Sequence, residues 1–470
     1  MNLDTLRAAF SGRLHHDAAD MAAFLSDWRG KWTGRAIAVA QPDSAADVAA
    51  VVRWCHAHRV PVVPQGGNTG LSGGSTPDDS GTALVLSLTR MNKVRHVDAL
   101  NNTMVVDAGS TLQSVRDAAR DADRLFPLSL AAQGSCTIGG NLATNAGGVQ
   151  VLRYGNARDL CLGLEVVTAA GEVWDGLRGL RKDNTGYDLR DLFIGSEGTL
   201  GIITGATLKL FPRPAAQAVA FAAIPTPEAG VQLLQLAQSR LGSTLTAFEL
   251  IGDACIRLVE KHVAAARLPL AERSPWYVLL EVSETRDEAH ASAAIEGLLE
   301  VALERQLASD VAISASIAQS QALWALREDI SESQGAEGKT IKHDICLPIS
   351  RIPEFVAGTS ALIEQHFPGL RLVVFGHLGD GNLHYNLSPA TDRTGPEHAS
   401  SFVALEGPVN RLVHDAVAAL GGSISAEHGL GVLRRDESAR YKSVVELGLM
   451  RAVKHALDPL GLMNPGKLLT

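Results

Sequence analysis

Cysteine, basic charge and long apolar runs are all scarce in this sequence. The five cysteines, Cys55, Cys136, Cys161, Cys255 and Cys346, are odd in number and show no C-x-x-C spacing, which argues against a disulfide framework and for a reducing compartment. Lys plus Arg number 42 against 51 for Asp plus Glu, a formal net charge of −9. A nucleic-acid binder needs a basic surface, so that class is set aside. No uncharged run of 18 apolar residues occurs, so no transmembrane segment is expected. The opening MNLDTLRAAFSGRLHHDAAD has acids and histidines where a signal peptide needs an apolar core, and a cytoplasmic protein is expected. Two nucleotide-binding grammars are missing as well: neither G-x-G-x-x-G nor G-x-x-x-x-G-K-[ST] is found. The serine-hydrolase string G-x-S-x-G occurs as GLSGG at Gly70 to Gly74, but the following STPDDSG cannot start the helix that such an elbow requires.

What the chain does have is length and glycine. With 470 residues, two or three domains are expected, and 46% apolar residues, 20% charged, 45 Gly and 19 Pro describe an ordered globular protein. Ser44 can cap a helix whose apolar face is Val48, Val51, Val52 and Cys55, with the strand-like VPVVPQ directly after it. Three glycine-dense blocks follow without a common period: PQGGNTGLSGG (64 to 74), QGSCTIGGNLATNAGGVQVLRYGN (133 to 156) and FIGSEGTLGIIT (193 to 204). Glycine is favoured where φ is positive or where backbone N–H groups approach a ligand closely, and three such loops in one domain suggest a diphosphate-containing cofactor. After TGATLKLFPRPAAQ the glycine blocks stop, and a domain boundary is placed near Pro212. The expected order is a cofactor domain over 1–212 with an N-terminal helical segment, an α+β domain with an antiparallel sheet over 213–425, and a C-terminal helical segment over 426–470 that docks back on the first domain.

In RLVVFGHLGDGNLHYNLS the Asp380-Gly381 pair suggests a two-residue type I′ hairpin turn. Positions summing to 761 then face each other, which makes His377 and His384 a directly opposed pair, with Cβ atoms roughly 5 Å apart. Asn386 points to the same side. The segment SAEHGLG adds Glu427 and His428. Two His and one carboxylate form a common catalytic zinc set with a position left open for substrate; the other reading of the histidines is a stacked, solvated pair. In WALREDISESQG the apolar Leu323, Leu326 and Ile330 mark one helical face, which puts Arg327 and Ser331, spaced i to i+4, together on another. In TIKHDICLP, Ile341, His343 and Ile345 alternate with Lys342 and Asp344 in the manner of a strand.

The blocks PQGGNTGLSGG, TIGGNLATNAGG and GSEGTLGIIT, with the C-terminal NPGK, resemble the FAD-linked oxidase superfamily related to vanillyl-alcohol oxidase, and the similarity covers nearly the whole chain. The resemblance implies an α+β fold with a vanillyl-alcohol-oxidase-type FAD domain. It also gives FAD-binding roles to Gly66, Gly67, Asn68, Thr69, Gly70, Ser135, Gly139, Asn141, Gly148 and Gly198. Relatives with covalent flavin carry His where this chain has Asn68, so non-covalent FAD is implied. GHLGDGNLHYN and AEHGLG resemble the D-2-hydroxyglutarate dehydrogenase branch. That likeness implies His377, His384 and Glu427 as ligands of Zn2+ or another divalent metal, and His428 as the base. On the same pattern Arg327, Ser331 and Lys342 hold the carboxylates of a 2-hydroxy dicarboxylate, with Asn386 and His428 also at the substrate. Ser331 stands where close animal relatives have Thr, and Lys342 separates a dicarboxylate enzyme from those acting on D-lactate or glycolate.

The chemistry so implied is zinc-assisted loss of the 2-hydroxyl proton to His428 and hydride transfer from C2 to flavin N5. The nearest alternatives are an FAD-dependent dehydrogenase of D-lactate, D-malate or glycolate and, from another class, an electron-transfer or assembly subunit. A zinc hydrolase would leave the glycine loops unexplained. An electron acceptor such as an electron-transfer flavoprotein or a quinone is required, and amphipathic helices on an acidic chain are compatible with a homodimer.

Overall fold

The computed structural model describes residues 3–393 and 395–469. Two compact units emerge. The first comprises Met1–Gly148, Tyr154–Arg213 and Glu427–Thr470; the second comprises Val149–Arg153 and Pro214–Ala426.

The first unit starts with a four-stranded sheet of β1 (Arg13–His15), β2 (Ala38–Gln41), β3 (Val62–Gln65) and β4 (Leu84–Ser87), ordered β1-β2-β4-β3. Strands β2, β3 and β4 are parallel, which calls for a crossover element; helix Ala45–His58 supplies it between β2 and β3. Ser44 accepts a hydrogen bond from Asp47 N and starts that helix. Val48, Val51, Val52 and Cys55 are buried along its inner face, as the 3.6-residue spacing requires. A five-stranded antiparallel sheet follows, built from β5 (Val94–Asp98), β6 (Thr103–Asp107), β8 (Cys161–Thr168), β9 (Val173–Gly176) and β10 (Gly201–Lys209) in the order β5-β6-β10-β8-β9. A short pair of β7 (Arg124–Leu125) and β11 (Phe211–Pro212) closes the unit's strand set. Its main apolar core runs from Leu6 to Met463, and a smaller cluster of Met21, Val39, Val63, Ala83 and Val85 is separate from it.

The C-terminal segment is part of this unit. Its helix Val444–Leu457 opens with a reciprocal Ser443 and Glu446 capping box and stops at Asp458, whose carboxylate accepts from Leu462 N and Met463 N. Asn464 then donates to the carbonyls of Gly74 and Glu197, and Lys467 donates to that of Thr76.

The second unit is organised on seven antiparallel strands: β12 (Ala216–Ile224), β13 (Leu245–Gly252), β14 (Trp276–Glu284), β15 (Asp310–Ile313), β16 (Asp344–Cys346), β17 (Arg371–His377) and β18 (Asn382–Ser388), ordered β15-β12-β14-β13-β17-β18-β16. The apolar runs AVAFAAI and WYVLLEV supply β12 and β14, buried almost end to end. Near-continuous burial of this kind follows when both faces of a strand are covered. Helices Pro227–Leu241 and Glu288–Glu304 are each started by a side-chain cap, Thr226 and Asp287 respectively.

Two local expectations are corrected. Strands β17 and β18 pair Phe375 with His384 and Val373 with Asn386, so facing positions sum to 759 rather than 761. Leu378 and Gly379 join Asp380 and Gly381 in a four-residue loop, with Asp380 N and Gly381 N both donating to His377 O. The shift is by two residues, and because strand faces alternate with period two, His377 and His384 stay on one face as diagonal rather than opposed neighbours. The second correction concerns Arg327 and Ser331. Helix Ile317–Glu328 stops at Asp329 and a new helix runs Ile330–Ala336, so no single helix carries both. Arg327 is buried whereas Ser331 is exposed, even though Leu323, Leu326 and Ile330 do share one core.

Candidate active site

In the first unit the glycine blocks converge on one open cleft. Gly66, Thr69 and Gly70 come from the loop after β3, Gly139 and Asn141 from the short helix Ile138–Ala143, and Gly198 from the turn before β10. His428 lies along the same cleft, and Ser72 Oγ fixes its segment through the carbonyls of His428 and Gly429, 3.1 Å each. A side chain at Gly66 would collide with Thr137 Oγ1, and one at Gly67 with the Ser135 carbonyl; these are close backbone approaches that only glycine permits. Thr137 Oγ1 itself is buried with no hydrogen-bond partner among the described residues. An orphaned hydroxyl costs free energy unless a ligand completes it, and on a wall of close-set glycines it suits a cofactor bearing phosphate oxygens. The residues present therefore fit FAD.

Several members of the expected cofactor set also make contacts within the protein. Asn68, at φ +54, donates to Ser26 O at 2.7 Å and accepts from Ser75 Oγ at 2.9 Å, which holds the first loop in shape. Gly139 gives its N–H to Ala108 O and rests on the Ala108 methyl, where a Cβ would come within 2.7 Å. Ser135 is exposed and turns its hydroxyl to Ala132 O. Gly148, at φ +105, donates to Glu427 Oε1 at 2.6 Å.

Glu197 was not expected. It lines the cleft and accepts from Leu430 N and Gly431 N, both at 2.8 Å. Burial pushes its carboxyl above the ordinary range, an effect that those two bonds and the Lys467 charge only partly offset. Burial likewise lowers the Lys467 ammonium to about 8. The acid standing inside GSEGTLG was a readable signal for Glu197.

In the second unit the chemistry-bearing residues lie along one face of the sheet. Glu249 on β13 faces His377 on β17, Phe375 faces His384 on β18, and His384 faces Asp344 on β16. The His377 and His384 rings have centroids 5.7 Å apart and planes at 79°. Glu249 is completely buried; it accepts from His377 Nδ1 at 2.6 Å and from Arg327 Nε at 2.7 Å. Burial alone would raise this carboxyl, but the charges of His377 and Arg327 and their hydrogen bonds outweigh it and hold it near 2. Arg327 also stacks over Phe375, 4.6 Å from the ring centre. Asp344 Oδ1 is 3.9 Å from His384 Nδ1 and accepts from Asn382 Nδ2 at 2.9 Å. Asn386 is buried, accepting from His343 N and donating to Gln334 Oε1. Lys342 is half-buried just before β16.

A carboxylate on Nδ1 fixes the imidazole tautomer that presents Nε2 and is the usual support of a metal-binding histidine. His377 has that support, and with His384 beside it the nitrogen pair fits a zinc-type cation. Glu249 was missed by sequence reasoning, although a lone acid within the apolar run TAFELIG was a signal for it.

Comparison with known proteins gives the frame for these residues. Residues 36–176 match the FAD binding domain family, and residues 213–468 match the C-terminal domain of FAD linked oxidases. The chain belongs to the FAD-linked oxidase family. It is 44% identical over 457 residues to a D-2-hydroxyglutarate dehydrogenase of Xanthomonas citri pv. viticola, covering 97% of this chain and 94% of that one. It is 38% identical over 471 residues to the mitochondrial D-2-hydroxyglutarate dehydrogenase of Bos taurus, covering 100% of this chain and 83% of that one. Among solved structures, p-cresol methylhydroxylase with substrate bound superposes with a TM-score of 0.77 at 17% identity, covering 99% and 96% of the two chains, which shows the fold. This FAD-linked oxidase is therefore an FAD-dependent oxidoreductase with an antiparallel α+β second domain.

All five of its cysteines are free, and burial pushes the thiols of Cys55, Cys161 and Cys255 up to about 12, which marks them as inert packing groups. No helix among the described residues is long and apolar enough to cross a membrane.

Proposed function

We propose that this FAD-linked oxidase oxidises D-2-hydroxyglutarate to 2-oxoglutarate with non-covalent FAD and a divalent cation, zinc foremost. The observation that carries the reading is near-full-length similarity to proteins named D-2-hydroxyglutarate dehydrogenase, in a chain that has Lys342 to meet a second carboxylate. Bound FAD supplies the acceptor for the C2 hydride, and a bound divalent cation supplies Lewis acidity at the 2-hydroxyl. His377, His384 and Glu427 hold the cation. His428 takes the hydroxyl proton. Arg327 engages Glu249 through Nε, so its Nη1 and Nη2 edge is the one to offer as a fork to the carboxylate beside C2. Ser331 and Lys342 meet the distal carboxylate, Lys342 as a point charge, and Asn386 lies on the metal-facing side of the hairpin. Gly66 to Gly70, Ser135, Gly139, Asn141, Gly148 and Gly198 shape the cofactor cleft.

The electrons leave to an acceptor such as an electron-transfer flavoprotein or a quinone. A cytoplasmic location belongs to the same proposal and rests on the five free cysteines. The test is turnover of the purified protein with an artificial acceptor dye, measured on D-2-hydroxyglutarate, its L-isomer, D-lactate, D-malate and glycolate, before and after chelation. D-2-hydroxyglutarate is expected to give the highest kcat/KM, and chelation to abolish turnover while the flavin spectrum persists. A preference for a monocarboxylate, or full activity in metal-free protein, contradicts the reading.

A further inference from the structure

Glu249 has no part in the chemistry described above, yet it is a fully buried acid bonded to two residues that do. Its Oε1 accepts from His377 Nδ1 at 2.6 Å and its Oε2 from Arg327 Nε at 2.7 Å. A carboxylate only accepts hydrogen bonds, so this contact keeps the His377 proton on Nδ1 and makes Nε2 the coordinating nitrogen. The second contact pins the guanidinium at its Nε edge while Phe375 backs its face. The strand register sets the arrangement, because Glu249 and His377 are cross-strand partners on β13 and β17.

From this geometry we infer that Glu249 is a positioning residue for two functions at once: it fixes the metal-binding tautomer of His377 and the carboxylate-binding orientation of Arg327. The inference rests on the proposed function. A neighbouring acid shows that burial in this sheet does not by itself give such a role. Glu281, on β14, is also buried but is held by Trp324 Nε1 and Gln217 Nε2, neither of which belongs to the proposed site.

The substitution Glu249→Gln weakens both arms, because it removes the negative charge that the His377 and Arg327 donors both meet. An amide has one acceptor oxygen and one donor nitrogen, so it can satisfy His377 Nδ1–H or Arg327 Nε–H but not both. In the flavin-loaded protein, zinc affinity is read by competition with a chromophoric chelator. KM and kcat for D-2-hydroxyglutarate are read with zinc in excess. Glu249→Gln is expected to weaken zinc by roughly ten- to hundredfold, the usual cost of losing a partner behind a ligand, and to raise KM with flavin content unchanged. Glu281→Gln should move neither quantity. Glu249→Asp keeps the charge and is expected to recover part of both losses.

The wild-type zinc protein gives an independent measurement that needs no variant: ¹⁵N NMR of labelled histidines should show His377 protonated at Nδ1 and metal-bound at Nε2. Zinc affinity and KM within twofold of wild type in Glu249→Gln, or metal on Nδ1 of His377, overturns the inference. Wild-type protein that neither takes up zinc nor turns over D-2-hydroxyglutarate overturns the proposed function and this inference together, so the two failures are distinguishable.

Discussion

On the proposed function, substrate choice turns on Lys342. The branch resemblance gives it the distal carboxylate, and a point charge there stabilises a dicarboxylate while adding little for a substrate that has only one. Lys342→Met is therefore expected to raise KM for D-2-hydroxyglutarate at least tenfold, roughly the 1.4 kcal/mol that one order of magnitude represents, and to leave D-lactate kinetics within about threefold. Equal losses on both substrates in a steady-state comparison would remove Lys342 from the selectivity argument. Single residues were legible in the sequence to the extent that their motifs were: the glycine loops led to the cleft, and His377 with His384 to one sheet face. Glu197 and Glu249 went unread because their significance depends on burial, which an isolated acid in GSEGTLG or TAFELIG only hints at.

The elements were legible in kind and less so in detail. Ser44, the Val48 to Cys55 stripe and the alternating β17 and β18 sequences gave a helix and a hairpin where the structure has them. Turn length was the weak point. Asp380-Gly381 satisfies the rule for a two-residue turn, yet Leu378 and Gly379 are also in the loop. Gly381 adopts φ +88, and an added Cβ would strike the Leu347 carbonyl. Gly381→Ala combines a left-handed strain with that collision and is expected to destabilise the protein by about 1–3 kcal/mol, measured as a lower denaturant midpoint at unchanged slope. A midpoint equal to wild type would mean that the loop relaxes freely and does not fix the hairpin. The helix break at Asp329 was hidden for a related reason: the apolar spacing Leu323, Leu326, Ile330 continues through it, and periodicity reports the buried face rather than the continuity of the backbone.

At the scale of the whole molecule, ion pairs tie separate elements together. Glu337 of the second domain, just past helix Ile330–Ala336, binds Lys261 and His262 at the end of helix Asp253–His262, and Arg371 on β17. Burial raises its carboxyl, but these three partners prevail and bring it from an ordinary 4.5 to about 2. A depressed folded-state value means that the stabilisation is present in full above pH 4.5 and is lost as pH falls toward 2. Glu337→Gln is expected to cost roughly 1–3 kcal/mol at neutral pH, with the gap to wild type closing between about pH 4.5 and 2 in acid titrations of unfolding. A gap that stays constant with pH would show that the bonds contribute nothing through ionisation. The broad α+β architecture was legible because the glycine blocks end where the buried β12 and β14 runs begin.

The central claim is that this FAD-linked oxidase reduces its flavin with D-2-hydroxyglutarate, and an anaerobic titration followed by flavin absorbance tests it most directly. Stoichiometric bleaching by D-2-hydroxyglutarate, with D-lactate and L-2-hydroxyglutarate far weaker, is the expected result. A yellow protein bleached preferentially by D-lactate, or not bleached by D-2-hydroxyglutarate at all, would contradict it.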